Sequence, residues 1–94
     1  MTKQDKKRGQ VIFICDCLLD ARLIYLAGNF NDWNPKARRM VKVKDGSSRA
    51  RLKLPPGQYQ YKFVADDVWL NDLAADAQVQ NQHGTLNSLA IVTP

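Results

Sequence analysis

Ninety-four residues suffice for one small domain and leave no room for a second, and 45% apolar with 24% charged residues is the make-up of a soluble globular fold. The net charge of +5 is uneven: Lys3, Lys6, Lys7 and Arg8 crowd residues 1–9, which lack an apolar pattern and read as a disordered basic arm, leaving a body, residues 10–94, near +2. So small an excess favours anionic partners without demanding them, and no segment approaches the roughly 18 apolar residues of a membrane span.

From Gln10 to Thr93 the chain reads as short strands divided by turn signals. Val11–Cys15 is β-branched and aromatic, bounded by Gly9 and Asp16. A basic start before an apolar run suggests a signal peptide, but Asp16 interrupts the run and no small-residue cleavage site follows. Cys15 and Cys17 on a strand point the same way roughly 7 Å apart, too far for a relaxed disulfide. With a single His they make no metal site, and both read as reduced thiols of a cytoplasmic protein. The initial Met argues for a free-standing product.

Arg22–Ala27 follows, with Ile24 and Leu26 on one face and Leu23 and Tyr25 on the other. Arg39–Val43 alternates, and Asp45-Gly46 supplies a turn where a positive φ is cheap. Arg49–Leu54 places Leu52 and Leu54 inward, and Pro55-Pro56-Gly57 predicts a hairpin. Gln58–Ala65 is the clearest strand: Tyr59, Tyr61 and Phe63 share the core face, Gln60 and Lys62 the other. Asp66-Asp67 turns into a short strand carrying Trp69. Leu73–Gln82, weakly periodic, predicts a long loop or one helical turn, and Leu86–Val92 is the last strand. About seven short strands at this spacing predict an all-β, immunoglobulin-like sandwich. A small closed barrel such as an OB-fold is the alternative.

Trp33 and Trp69 lie among Asn, Asp and Pro rather than inside apolar runs. An indole so placed makes a flat apolar platform with a polar rim, suited to sugar rings or nucleobases. Catalytic chemistry is poorly represented. The acids are nine Asp and no Glu, all but Asp16 and Asp20 in predicted turns, loops or the arm, and His83 has no evident partners. Asp66, Asp67 and Asp72 offer a glycosidase pair only in principle, because Asp is also the usual turn former. No P-loop, dinucleotide loop or nucleophile elbow occurs. The chain is expected to be no enzyme and to need no cofactor.

Four segments occur in one collinear order. They are Leu26-Ala27-Gly28-Asn29-Phe30-Asn31-Asp32-Trp33, Leu54-Pro55-Pro56-Gly57-Gln58-Tyr59-Gln60-Tyr61-Lys62-Phe63-Val64, Trp69 with Asp72, and Gly84-Thr85-Leu86-Asn87-Ser88. Together they resemble the glycogen- and starch-binding modules of the AMP-activated protein kinase β subunit and of the N-termini of isoamylase and branching enzymes, over Val11 to Val92. The resemblance implies an early-set immunoglobulin-like β-sandwich. It matches Trp33 and Trp69 to the two indoles that stack on glucose rings, and Lys62 to the base between them. Thr85 and Asn87 match the polar residues that hold hydroxyls, while His83 replaces an apolar residue that inserts beside the glucan. Asp67 stands where Gly is common, and Leu73 where many members have Pro.

The function implied is non-catalytic binding of α-1,4-linked glucan, with a glucan-metabolising enzyme or a kinase as protein partner. Two other readings remain: a protein-interaction sandwich that has lost sugar binding, and a single-strand nucleic-acid binder using the same aromatics with the basic arm, the least favoured of the three.

Overall fold

A computed structural model describes residues 1–16 and 21–94. The described residues form nine strands and no helix: β1 Thr2–Asp5, β2 Gln10–Cys15, β3 Ile24–Gly28, β4 Val41–Lys42, β5 Ser48–Lys53, β6 Gly57–Ala65, β7 Val68–Leu70, β8 Ala77–Gln80 and β9 Leu86–Val92. They make two antiparallel sheets, β1-β2-β5-β4 and β3-β6-β9-β8, with β7 paired to β6. The outcome is the expected sandwich and not a closed barrel.

Alternation explains the core. Val11, Phe13 and Cys15 of β2, Ala50 of β5, Tyr61, Phe63 and Ala65 of β6, and Ala90 and Val92 of β9 are buried between the sheets. Phe13 is the hub, 4.9 Å from Tyr61 in a near-perpendicular pair and 5.6 Å from Phe30. Burial, and secondarily the Asp76 carboxylate, push the Tyr61 phenol above its usual range, so it stays protonated and acts as a donor. Cys15 is buried, while Cys17 and Asp20 lie outside the described residues.

Several expectations are corrected. The arm expected to be disordered contains β1, which pairs Thr2 with Phe13 and Asp5 with Gln10. Thr2 and Gln4, opposite the core residues Phe13 and Val11, take the inward face with polar side chains, so hydrophobic patterning does not mark this strand. Residues expected as loop contain β8, another strand held at a sheet edge by its ladder to β9. Pro55-Pro56-Gly57 closes no hairpin, because it carries the chain from β5 in one sheet to β6 in the other. The single strand expected over Arg39–Val43 divides its loyalties. Arg38 and Met40 bond to Leu26 and Ile24 of β3, while Val41 and Lys42 pair with β5.

Gly28, at the end of β3, leaves no room for a side chain. A β-carbon there would collide with the Phe30 ring and lie 2.6 Å from the Gln60 carbonyl oxygen. Gly28→Ala is therefore expected to destabilise the fold by about 1–3 kcal/mol, read from urea unfolding. Because the Gly28 carbonyl also anchors the Trp33 turn, ligand affinity should fall with it.

Candidate functional site

The outer face of the β3-β6-β9-β8 sheet carries an open groove of about 740 Å³. All six residues singled out from the sequence line it: Trp33, Lys62, Trp69, His83, Thr85 and Asn87. Asn29, Gln60, Gln80, Asn81 and Gln82 complete the lining.

Each comes from a locally understandable element. Trp69 is the centre of β7, directly across from Val64 in the β6–β7 hairpin. Asp66 and Asp67 form the turn with φ of 47° and 69°, the left-handed conformation that Asp tolerates better than most residues. The Asp66 carboxylate accepts hydrogen bonds from the N–H groups of Leu23, at 2.9 Å, and Arg22, which hold its pKa below the ordinary value. Lys62 lies two residues before Val64, hence on the same face as Trp69, about 7 Å along the strand. Trp69 is 44% exposed, a platform with one face open.

Trp33 arrives from the turn after β3. Its N–H bonds to the Gly28 carbonyl at 2.9 Å, and Asp32 and Trp33 both have φ of 57°. A bulky residue in that region is strained and needs its surroundings to hold it. Asn31 does so: its side chain accepts from Gly28 N–H and donates to the Leu26 carbonyl, both at 3.0 Å. Trp33 is half-buried, so it serves both the domain and the groove.

The third wall is the turn between β8 and β9. Asn81 is its centre, accepting from the N–H groups of His83 and Thr85 and donating to the side chains of Thr85 and Asn87. Asn87, only 6% exposed, donates onward to Gln60 Oε1 at 2.9 Å. Asn29 Oδ1 accepts from the Gln60 N–H. A continuous row of amides thus lines the groove together with the two indoles. Asn29, Gln60 and Asn81 escaped sequence reading, because Asn and Gln at turns and on exposed strand faces are ordinary. The one available signal was the density of amides over Gln78–Gln82 just before Gly84-Thr85.

Asp66 is engaged with the backbone, Asp67 sits in the turn, and Asp72 is buried beneath the sheet with Tyr61 and Ser88.

Residues 18–94 match the family described as the glycogen recognition site of AMP-activated protein kinase. The chain is 37% identical over 70 residues to Protein FLOURY ENDOSPERM 6, chloroplastic, of Oryza sativa subsp. japonica, covering 74% of this chain and 13% of that protein. It is 36% identical over 66 residues to 5'-AMP-activated protein kinase subunit beta-2 of Homo sapiens, covering 70% of this chain and 23% of that subunit. The subunit beta-1 of Sus scrofa is 37% identical over 66 residues, with 70% and 51% covered. The chain therefore spans between 13% and 51% of the length of these relatives.

Proposed function

The chain belongs to the glycogen-recognition family of AMP-activated protein kinase, and from that premise we propose that it binds α-1,4-linked glucan (glycogen, starch or maltodextrin) without acting on it chemically. The observation that carries the reading is the meeting of two indoles, one ammonium group and a row of amides in a single open groove. The axial C–H groups of a glucose ring form an apolar face that packs on an indole, while its hydroxyls point sideways to polar partners. Trp33 and Trp69 take two rings as platforms. Lys62, Thr85 and Asn87 bond to hydroxyls, and His83 packs against the edge of the sugar chain.

By analogy with base stacking, each platform contributes about 1–3 kcal/mol, and each net hydrogen bond about 0.5–1.5 kcal/mol. After ordering costs, short oligomers bind with a Kd of about 10 μM to 1 mM. The module's task is to place a partner on polymer or to report polymer to it. Kinase subunits among the relatives support a kinase as that partner, with a glucan-metabolising enzyme as the other candidate.

Affinity electrophoresis tests the function. Migration is expected to be retarded in a glycogen-containing native gel, and the retardation should be nearly unchanged between low and high salt. Nucleic acid held by the same aromatics and the basic residues would instead dissociate steeply with salt. Unretarded migration in glycogen at every salt concentration would refute the reading.

A further inference from the structure

We infer that Asn81, through a one-way relay of side-chain amides, sets the direction in which the groove's hydrogen-bonding groups point and makes it a donor surface for sugar oxygens. This rests on the glucan-binding reading and deepens it.

The direction of the relay is forced from the backbone outward. The N–H groups of His83, at 2.9 Å, and Thr85, at 3.1 Å, can only donate, so the Asn81 atom facing them is its carbonyl oxygen. Its NH₂ group then faces Thr85 Oγ1 at 2.7 Å and Asn87 Oδ1 at 3.1 Å. Asn87, with its oxygen turned to Asn81, presents Nδ2 to Gln60 Oε1 at 2.9 Å. No amide in the row can flip alone without setting two donors or two acceptors against each other.

Both open ends of the relay are donors. The Thr85 oxygen accepts from Asn81, which leaves its proton for a ligand. The Gln60 carbonyl accepts from Asn87, which leaves the Gln60 NH₂ for a ligand. Lys62, a donor only, shares the strand face of Gln60. Ring and glycosidic oxygens only accept, and hydroxyl oxygens accept readily, so a surface of donors engages them all. Asn81 thereby acts as a positioning residue.

Asn81→Asp isolates the effect. It keeps the oxygen that His83 and Thr85 need and replaces the NH₂ with an acceptor. Thr85 must then donate its proton inward, Asn87 must turn its NH₂ toward the new carboxylate, and Gln60 must turn its NH₂ toward Asn87. The relay reverses from end to end while the turn is preserved.

The parent, Asn81→Asp and Asn81→Ala are compared by titration with maltoheptaose in about 0.5 M salt, which screens the added charge, and by NMR of the free proteins. For Asn81→Asp we expect the His83 and Thr85 backbone amides to exchange as slowly as in the parent, with an unchanged Tm. The Asn87 and Gln60 side-chain NH₂ resonances should shift, and affinity should fall about tenfold. For Asn81→Ala, faster exchange at His83 and Thr85 should accompany the loss of affinity. A purely structural role predicts that Asn81→Asp binds within about twofold of the parent, and that result overturns the inference. Unmoved Asn87 and Gln60 resonances overturn it as well, without any sugar present. A parent that binds no sugar refutes the glucan reading and the donor surface's purpose, and the relay is then judged by those two resonances.

Discussion

Trp69→Ala is expected to abolish retention on glycogen and to raise the maltoheptaose Kd by about 10- to 100-fold, while folding stability stays within about 0.5 kcal/mol of the parent. The separation of the two effects follows from where the indole stands. Trp69 is 44% exposed and projects from a three-residue strand that is held by its backbone to β6. Removing the ring deletes one stacking platform and leaves the Phe63–Leu70 and Ala65–Val68 pairs in place. Trp33→Ala should differ. Its ring is half-buried, so affinity and stability should fall together. Isothermal titration and urea unfolding on the same preparations distinguish the two. Retention of Trp69→Ala equal to the parent would mean that the groove is not the glucan site.

Asp72→Ala is expected to lower stability by about 2–4 kcal/mol, a large share of the roughly 5–15 kcal/mol available to a small domain. Asp72 is 4% exposed, and its carboxylate accepts from the Tyr61 hydroxyl at 2.6 Å and the Ala74 N–H at 3.0 Å, with the Met1 amino group also in contact. Its backbone N–H donates to Ser88 Oγ at 2.7 Å, and its carbonyl accepts from Gln78 Nε2. The cost arises from what is left behind: Tyr61 is wholly buried, and its hydroxyl would be stranded without an acceptor. Tyr61→Phe removes donor and need together, so the double variant should be less destabilised than the sum of the singles, by about 1–2 kcal/mol. Additive losses in urea would show that the pair does not act as a unit.

Both predictions concern residues visible in the sequence, yet their roles were not equally legible. Tyr59, Tyr61 and Phe63 announced β6, because a strand with one face in the core must alternate. β1 and β8 gave no such sign. Thr2-Lys3-Gln4-Asp5 and Ala77-Gln78-Val79-Gln80 are edge strands held by backbone ladders and by polar side-chain bonds, Gln4 to Thr93 and Gln78 to the Asp72 carbonyl, rather than by an apolar face. Arg39–Val43 reads as one strand because alternation continues unbroken while the pairing partner changes from β3 to β5. In the groove, aromatic rings in polar company stood out and the resemblance supplied their neighbours. Asn81 acts through other side chains, and such indirect action leaves no trace in composition or spacing, while Gln60 is an ordinary amide on an outward strand face. Asp72 looks like a turn former in the sequence, since its burial depends on chain distant from it, Tyr61 and Ser88 among it.

The brace beneath Trp33 has a thermodynamic consequence. Asn31 ties the turn to Gly28 and Leu26 before any sugar arrives, and Asp32 and Trp33 keep backbone angles that a slack loop would abandon. Conformational freedom that a floppy shelf would surrender at each encounter is surrendered once, while the chain folds. Calorimetry should accordingly register a small entropic penalty for the ring seated on Trp33. Loosening Asn31 should shorten the lifetime of the complex even though no atom of that side chain lines the groove.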